Sequence, residues 1–486
     1  MDLSDAARPR PPHRNRGATL RCPGARSKAV LVPALAGLLA ASPAIAQVDS
    51  DAIADLLTQS GSAGLGFLYR FEKSPYRDGG RRSDLLPLYL YEGERFFINA
   101  DRAGYKLVED GTRRLDLFLS RRLEGFPEDD VPDVARGMDP RNASVDLGLR
   151  YRHRFPWGTM RVTGLQHVSN TSTGAELRLG YSYTWGSGRW TLRPDLSVSF
   201  HDPDLNAYYY GVAPHEAAAD RPAYAPGGGI DYTVALYGTY RFLQSWRLIG
   251  GIALTRHARA VRASPIVRDD LQPAVFAGAV YDFGTATPRW DDDDVPTFLK
   301  VFHGRASGDG CHMVKIMNLS CTSLERVEPS SVTGVHLGRP FIERVNGWPL
   351  DIHGYVGLLY RNEMNDIQPD GWQVDAYMKF FYYGFPWRHR VKTRIGFGAG
   401  VSYAHHVPSA EVTSQARRGR PTSRLLNYLD PTIDVSLGDL VRSRRLKETY
   451  LGLGISHRSG IFASSRLLGS VNGGSNYIYT YIETTL

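Results

Sequence analysis

The clearest pattern in the chain is an alternation of apolar and polar residues from Ala143 to Phe200. Its first run places four apolar residues on one face of a strand: Val145, Leu147, Leu149 and Tyr151. The other face is charged: Asp146, Arg150, Arg152 and Arg154. Successive side chains of a strand point to opposite sides, so each run has one apolar and one charged face. Three further runs begin at Thr159, Ala175 and Trp190. Alternating runs of about ten residues with aromatic ends are the signature of a transmembrane β-barrel.

Similar runs cover most of the chain and fall into two groups. The first begins at Gly64 and ends on Phe283. The second begins near Phe298 and includes strands predicted at Ile433–Leu440 and Tyr477–Ile482. The sequence therefore predicts an all-β protein with a transmembrane antiparallel β-barrel of about 10–12 strands, followed by a second barrel of about 8 strands. One large barrel of about twenty strands and a soluble sandwich are the alternatives.

The N-terminus indicates export. Arginines precede an apolar run from Ala29 to Ala41, and Ala44-Ile45-Ala46 supplies the small residues of a cleavage site. The predicted domains are a signal peptide (1–46), a first barrel (47–285), an acidic linker (286–296) and a second barrel (297–486). A signal peptide followed by barrels predicts the bacterial outer membrane as the location.

Composition narrows the choice of partners. The mean hydropathy of −0.31 suits a barrel, because lumen residues dilute those that face lipid. The net charge of +8 is small for 486 residues, and no basic block with interleaved aromatic residues indicates nucleic acid. We therefore expect outer-membrane lipids as partners, no nucleic acid and no cofactor.

Two of the three cysteines follow the predicted signal peptide. Cys311 and Cys321 form an even pair in an exported protein, which predicts a disulfide that closes a small loop. A metal site is not expected there, since His303 and His312 do not complete a known ligand spacing.

One pair of residues in the second half suggests chemistry. His457 and Ser459 are two residues apart, so they share one face of a predicted strand. Leu451, Leu453 and Ile455 make that face the expected lipid side. A histidine can take the proton of a serine hydroxyl that attacks an ester carbonyl. The pair therefore suits an enzyme that acts on a membrane lipid, while two polar residues at the membrane interface are the alternative.

A similar pair in the first half serves as a comparison. His167 and Ser169 match the same spacing, and Asn170 follows them. Met160 and Val162 set the apolar parity of their strand, which places His167 and Ser169 on the lumen side. The polar residues after Asn170 predict the tip of a hairpin there.

The first half resembles the MipA/OmpV family of outer-membrane proteins from about residue 64 to residue 283. The resemblance rests on ordered segments: Leu86-Pro87-Leu88, Arg95-Phe96-Phe97-Ile98, Gly104-Tyr105-Lys106-Leu107, Tyr208-Tyr209-Tyr210-Gly211-Val212-Ala213-Pro214-His215-Glu216-Ala217-Ala218, Pro222-Ala223-Tyr224 and Ala263-Ser264-Pro265-Ile266-Val267. It implies an outer-membrane barrel without catalytic residues. Some family members are described as scaffolds that link a murein-degrading transglycosylase to a murein synthase, which implies murein-processing enzymes as partners.

The last two predicted strands resemble PagL-type lipid A deacylases and outer-membrane phospholipase A, which carry a His-x-Ser pair. The resemblance implies His457 as base, Ser459 as nucleophile and Asn476, with Asn472 as the alternative, as the residue that orients the histidine. Gly460 stands where these families often have asparagine, and Glu483 lies too far along its strand to reach the histidine.

Three functions follow as hypotheses. The first is a structural or scaffolding component of the cell envelope. The second is a lipid A or phospholipid acyl-ester hydrolase in the second barrel. The third is a passive pore.

Overall fold

The computed structural model describes residue 56 and residues 63–99, 101–127, 130–169, 172–268, 271–283, 295–308, 310–462 and 464–486. Within these ranges the strands form two successive closed antiparallel sheets. The predicted fold class is therefore confirmed, and the single large barrel and the sandwich are wrong. The predicted signal peptide lies outside the described residues, as does the linker except for Val295 and Pro296. These domain boundaries stay predictions.

The first sheet, barrel 1, contains the strands β1 to β13. Their bounds are β1 (Ala63–Lys73), β2 (Arg81–Glu92), β3 (Phe96–Asn99), β4 (Arg102–Glu109), β5 (Arg113–Arg122), β6 (Ser144–Phe155), β7 (Gly158–His167), β8 (Ala175–Ser182), β9 (Trp185–Ser187), β10 (Trp190–His201), β11 (Gly229–Arg241), β12 (Trp246–Arg256) and β13 (Gln272–Asp282). Among the described strands, twelve form the ring, which closes where β13 pairs with β1. The short β9 pairs only with β10 at the edge of this ring.

The second sheet, barrel 2, contains eight strands in the described part of the chain. They are β14 (Phe298–Ala306), β15 (Ser330–Ile342), β16 (Leu350–Glu363), β17 (Gly371–Tyr382), β18 (Thr393–Ala404), β19 (Leu425–Ser436), β20 (Tyr450–Ser459) and β21 (Asn476–Thr485). Each strand pairs with the next, and β21 pairs with β14 to close the barrel.

Strand β6 shows how the alternation sets the two faces of the wall. Leu147 and Leu149 are 42% and 49% exposed. Arg150, which follows Leu149 in the chain, is only 1% exposed. The guanidinium of Arg150 lies inside the barrel and donates to Asp116 Oδ2 at 2.8 Å. The apolar face is the one that contacts lipid, and the charged face lines the lumen.

Helices occur only in the connections among the described residues. The α-helices are α1 (Pro203–Tyr210), α2 (Arg259–Arg262), α3 (Met313–Met317), α4 (Ser409–Ala416) and α5 (Leu437–Val441). Short 3₁₀ turns lie at Asp133–Ala135, Pro214–Glu216, Val345–Gly347 and Arg444–Leu446. In the described ranges, every helix is too short or too polar to cross a membrane.

The lengths of the connections between strands indicate which end of barrel 1 faces the periplasm. One end of barrel 1 carries short turns such as 110–112 and 156–157, and the other carries long loops such as 123–143 and 202–228. Outer-membrane barrels place short turns in the periplasm and longer loops outside the cell. The long-loop end is therefore the extracellular end, and the turn at 110–112 marks the periplasmic end.

The extracellular loops of barrel 1 pack into a cap, formed by the loops that follow β1, β5, β10 and β12. Its apolar interior comprises Tyr76, Phe126, Ala135, Met138, Leu205, Tyr209, Tyr210, Val212, Ala258, Val261, Ile266 and Val267. Tyr76 Oη donates to the carbonyl of Tyr209 at 2.9 Å, and Ser264 Oγ donates to the carbonyl of Tyr210 at 2.6 Å. The cap covers the extracellular mouth of barrel 1.

An apolar layer lines the lumen of barrel 1 below the cap, on the side formed by β1, β2, β11, β12 and β13. Its inward-facing residues include Leu68, Leu86, Leu88, Leu90, Tyr237, Ile249 and Phe276, and Leu56 packs against them. Ion pairs such as Arg70–Asp84 lie on its extracellular side, and Arg114–Asp116 lies in the wall nearer the periplasm. The layer lies between the cap and the periplasmic mouth.

Barrel 2 contacts barrel 1 where the wall of barrel 1 has a gap. Strand β3 pairs with β2 only through Leu90, Tyr91 and Glu92, so Arg81–Tyr89 has no strand neighbour on that side within the described residues. The connection between β20 and β21 fills this place: the N–H of Leu85 donates to the carbonyl of Ser464 at 2.7 Å.

Side chains reinforce this junction. The N–H of Arg466 donates to Asp84 Oδ1 at 2.8 Å, and its guanidinium donates to the carbonyl of Gly125 at 3.1 Å. Tyr89 Oη donates to Asn427 Oδ1 at 2.5 Å. The loop between β20 and β21 therefore acts as a substitute wall segment for barrel 1.

One predicted strand is misplaced. The strand expected at Ile433–Leu440 is β19, which runs from Leu425 to Ser436, and α5 follows. Pro431 has no N–H, and the pairing of β19 with β20 omits it, passing from Leu429 to Thr432. Asp430-Pro431 reads as a turn in the sequence but lies inside a strand.

Candidate functional sites

The first candidate site lies on the outer face of barrel 2, near the end of β20 that leads into the connection to β21. His457 and Ser459 are half-buried and share the face that carries the exposed Leu451 and Leu453. Arg458, between the two, points inward and donates to Glu411 Oε1 at 2.9 Å. The structure thus places His457 and Ser459 on the outward side.

Asn476 contacts the ring of His457. It lies opposite His457 in the pairing of β20 with β21. His457 Nδ1 donates to Asn476 Oδ1 at 2.7 Å. Asn476 Nδ2 donates in turn to the carbonyl of Cys311 at 3.3 Å, which fixes the orientation of the amide. This arrangement keeps the proton on Nδ1 and leaves Nε2 as the acceptor nitrogen of the ring.

A disulfide-closed loop covers this part of the wall. Cys311 and Cys321 are joined in the structure. Cys311 and Ile316 of this loop pack on Ile455, with Ile478 beside them. Ile455 was expected to face lipid with Leu451, but it is buried because the loop bends over the outer face of β20 and β21.

The other sequence candidates lie elsewhere. The carbonyl of Asn472 accepts from Gln415 Nε2 at 3.0 Å, and Asn476 takes the position beside the ring. Glu483 faces the lumen, where it accepts from Arg394 at 2.7 Å. The N–H of Gly460 donates to the carbonyl of Gly473 at 3.2 Å.

The comparison pair in barrel 1 takes the inward face. His167 is buried, and its Nε2 lies 3.0 Å from Ser144 Oγ. Ser169 Oγ accepts from the N–H of Val145 at 3.0 Å, as in a hairpin tip. The parity of the strand thus distinguishes two motifs with the same spacing.

Sequence reasoning missed a second candidate site at the periplasmic mouth of barrel 1. A cavity of about 510 Å³ lies there, lined by five arginines and two glutamates among other residues: Arg113, Arg114, Arg152, Arg154, Arg193, Glu92 and Glu109. The signal in the sequence was the charged face of β6, where Arg150, Arg152 and Arg154 alternate. Its neighbours come from distant strands, so the cluster itself could not be read from the sequence.

One group with metal-ligating atoms lies in the cap, but its members already have partners. Asp139, His215 and Glu216 approach one another among the described residues. His215 Nε2 lies 2.9 Å from Asp139 Oδ2, and Glu216 pairs with Arg141 at 2.7 Å. Burial acts to raise the pKa of Glu216, but the hydrogen bonds from Arg141 and from the N–H of Ala213 outweigh it and lower that pKa.

Comparison with known proteins shows which family barrel 1 resembles. The model of the family described as MltA-interacting protein MipA matches residues 63–283, which is barrel 1 and nothing beyond it. OmpV, an outer membrane protein of Vibrio cholerae, is 31% identical over 211 residues, which cover 43% of this chain and 81% of OmpV. The chain belongs to the MipA/OmpV family.

Other relatives agree with this assignment. MltA-interacting protein of Escherichia coli is 28% identical over 223 residues, or 46% of this chain and 88% of the relative. The putative outer membrane protein YiaT of Escherichia coli is 29% identical over 32% of this chain and 63% of its own length. The ferric enterobactin receptor PfeA of Pseudomonas aeruginosa aligns over 88% of this chain with 9% identity and a TM-score of 0.25, too low to support any argument. Family and fold together identify an outer-membrane β-barrel protein of MipA/OmpV type.

Three of the six segments that carry the family resemblance lie in the cap: Tyr208 to Ala218, Pro222 to Tyr224 and Ala263 to Val267. Tyr209 and Tyr210 lie in its apolar interior, where burial raises the pKa of both phenols. Glu216 pairs there with Arg141, and Tyr224 Oη donates to the carbonyl of Ala260 at 2.7 Å. This half of the family signature therefore corresponds to the cap, and the other three segments lie in or beside β2, β3 and β4.

Proposed function

We propose that this protein is an outer-membrane scaffold that binds a murein-processing enzyme from the periplasmic side through barrel 1. The observation that carries the proposal is the alignment of barrel 1 with 88% of the Escherichia coli protein named MltA-interacting protein. The similarity spans the wall, the cap and the periplasmic turns, so the surfaces of a docking platform are all included.

The arrangement of barrel 1 supports a platform rather than a passive pore. The cap covers the extracellular mouth, and below it the lumen contains the apolar layer with Leu68 and Leu86 on one side and the buried Arg150–Asp116 pair on the other. These side chains lie on the path that a solute would take. The periplasmic mouth, in contrast, contains a cavity and presents short turns to the side where a murein enzyme works.

The test is direct binding between purified proteins. The protein in lipid nanodiscs and MltA of Escherichia coli are examined by biolayer interferometry, with the Escherichia coli relative as positive control. We expect a saturable complex, unchanged in the Ser459→Ala variant because that residue lies on the other barrel. Binding by the relative without binding by this protein would refute the scaffold proposal for MltA-type partners.

The outer face of barrel 2 supports a second candidate function, hydrolysis of a lipid acyl ester. The specific observation is the hydrogen bond of 2.7 Å between His457 and Asn476, beside Ser459 on the lipid side. Ser459 Oγ would attack the ester carbonyl while His457 Nε2 accepts its proton, and the same proton would then pass to the leaving alcohol. Water would release the fatty acid from Ser459 by the same route, and Asn476 would hold the ring.

Acyl release from lipid A and from phospholipid in detergent micelles tests this second function. Ser459→Ala and His457→Ala are expected to reduce release to background, and Asn476→Ala to lower kcat while the KM changes little. Ser169→Ala, in the inward His-x-Ser pair of barrel 1, is the matched control and should keep full release. Equal release by all variants would exclude the esterase.

A further inference from the structure

The lining of the periplasmic cavity of barrel 1 contains more cationic than anionic side chains. Five arginines line it against two glutamates, and threonine and tyrosine hydroxyls complete the lining. Arg114, Arg152, Arg154 and Arg193 come from the inward faces of β5, β6 and β10, and Arg113 reaches the rim from the exposed start of β5.

The two glutamates are already engaged by cations of the barrel. Lys106 Nζ lies 2.8 Å from Glu92 Oε1 and 2.6 Å from Glu109 Oε2. Arg114 also pairs with Glu92. Lys106 adds a further positive charge beside the cavity. The cations around Glu92 and Glu109 therefore favour the binding of an additional anion.

Two of the arginines donate to neutral oxygen atoms, and a third pairs with an exposed carboxylate. Arg154 donates to the carbonyl of Gly111 at 3.4 Å, and Arg193 donates to Ser182 Oγ at 2.6 Å. Arg113 pairs with Asp110 at the solvent-exposed turn. Exposed ion pairs contribute little stability, so the Arg113–Asp110 contact gives way easily to a ligand.

The cavity is blind. Leu56 lines it and also belongs to the apolar layer formed with Leu86 and Leu88. The layer on one side and the buried ion pairs Arg150–Asp116 and Arg161–Asp195 on the other lie between the cavity and the extracellular end, and the mouth lies at the periplasmic turns. A ligand therefore enters and leaves from the periplasm.

We propose that this cavity binds the carboxylates of a short acidic peptide presented from the periplasm. Guanidinium groups bind carboxylates through two parallel hydrogen bonds, and several arginines in fixed positions select a ligand with several carboxylates. A volume of about 510 Å³ lies within the range of ligand cavities and accommodates a few residues. Peptide carboxylates occur both in acidic segments of proteins and in murein stem peptides, and the experiment separates these sources.

The inference names a ligand for the face that the scaffold proposal uses, and it rests on that proposal for its biological meaning. The measurement below requires no partner protein. Loss of MltA binding with retained peptide binding would refute the scaffold alone, and the reverse result would refute the peptide site alone.

The experiment measures binding of fluorescein-labelled hexaglutamate to the full-length protein in nanodiscs by fluorescence anisotropy. The variant Arg152→Gln/Arg154→Gln is compared with Arg136→Gln, whose side chain is 78% exposed in the extracellular cap. We expect the double variant to raise the Kd at least tenfold and the control to leave it unchanged. The single variant Arg154→Gln, at the exposed mouth, should raise it by a smaller factor and guards against misfolding of the double variant.

Competitors complete the test. Unlabelled hexaglutamate should displace the probe, and hexaglutamine should not. Displacement by soluble muropeptides would assign the site to murein stem peptides, and displacement by hexaglutamate alone would assign it to acidic protein segments. Equal affinity of the double variant and the unsubstituted protein, or displacement by inorganic phosphate at the same concentration as hexaglutamate, would overturn the proposal.

Discussion

The two barrels of this chain are both closed antiparallel sheets, but their interiors differ. Barrel 2 has eight strands, and eight strands give an interior that side chains can fill. Its filling consists of stacked tyrosines and a buried ion cluster: Tyr355, Tyr377, Tyr428, Tyr479, Tyr481, Lys300, Lys379 and Asp430. Barrel 1 has a twelve-strand ring, and its wider interior leaves a cavity of about 510 Å³ at the periplasmic end.

The difference determines where each barrel can interact with other molecules. The filled lumen of barrel 2 leaves only its outer wall and loops for function, and His457 and Ser459 lie on that wall. Barrel 1 has an apolar outer wall for lipid, and its distinctive charges line the lumen. The outward chemistry proposed for barrel 2 and the inward binding proposed for barrel 1 match this difference in strand number.

The largest expected loss of stability comes from a substitution in the filled lumen of barrel 2. Asp430 accepts from Lys300 at 3.1 Å and also pairs with Lys379. Asp430→Ala leaves two buried ammonium groups without their carboxylate, which should lower the free energy of unfolding by about 3–5 kcal/mol. Urea unfolding in lipid vesicles measures this change.

The matched control for this substitution is Asp366→Ala, in an exposed loop of the same barrel. It should change the free energy of unfolding by less than about 0.5 kcal/mol. Equal losses in the two variants would show that the ion cluster does not stabilise barrel 2.

A second effect should be confined to barrel 2 because the disulfide lies there. Replacing Cys311 and Cys321 by serine should cost about 2–3 kcal/mol, since the closed loop is short. Hydrogen exchange by mass spectrometry should accelerate in β20 and β21, under the loop, while β5 and β6 of barrel 1 stay unchanged. Acceleration in both barrels would contradict their separate stability.

The junction between the barrels gives a smaller effect. Arg466→Ala removes the contact with the carbonyl of Gly125 and the weaker approach to Glu72 at 3.5 Å. We expect a loss of about 1–2 kcal/mol, because hydrogen bonds to charged groups exceed neutral ones. Hydrogen exchange should accelerate in β2 near Leu85, and Arg445→Ala in an exposed turn should leave it unchanged. An unaltered β2 would show that the gap in barrel 1 closes without barrel 2.

The smallest expected effect is a loss of cap stability at acidic pH. The lowered pKa of Glu216 means that its ionised form stabilises the folded cap above its usual pKa of 4.5, and that this stability is lost as the pH falls through the lowered value. Hydrogen exchange in α1 should therefore rise below about pH 4.5, and Glu216→Gln should remove this dependence on pH. An identical pH profile in the variant would contradict the role of the Arg141–Glu216 pair.

Much of the wall was predictable because alternation is a local property. Leu147, Arg150 and Leu149 occupy the faces that the pattern assigned, and the same parity separated His457 from His167. The disulfide could be predicted because Cys311 and Cys321 are close in the sequence. Local rules failed at Pro431, where pairing with β18 holds a proline inside a strand.

The remaining features depend on residues that are distant in the sequence. Arg466 reaches Asp84 across 382 positions, and no local pattern signals that contact. The cavity combines arginines of β5, β6 and β10, which only closure of the ring brings together. The choice of Asn476 over Asn472 required the register of β20 against β21.

The central claim, inward binding in barrel 1 and outward chemistry in barrel 2, can be tested by one labelling measurement. Single-cysteine variants Arg154→Cys and Ser459→Cys are reconstituted in vesicles and labelled with a membrane-impermeant maleimide, then with a fluorophore quenched by brominated lipid. We expect rapid impermeant labelling at position 154 without lipid quenching, and strong lipid quenching with slow impermeant labelling at position 459. The same pattern at both positions would contradict the account.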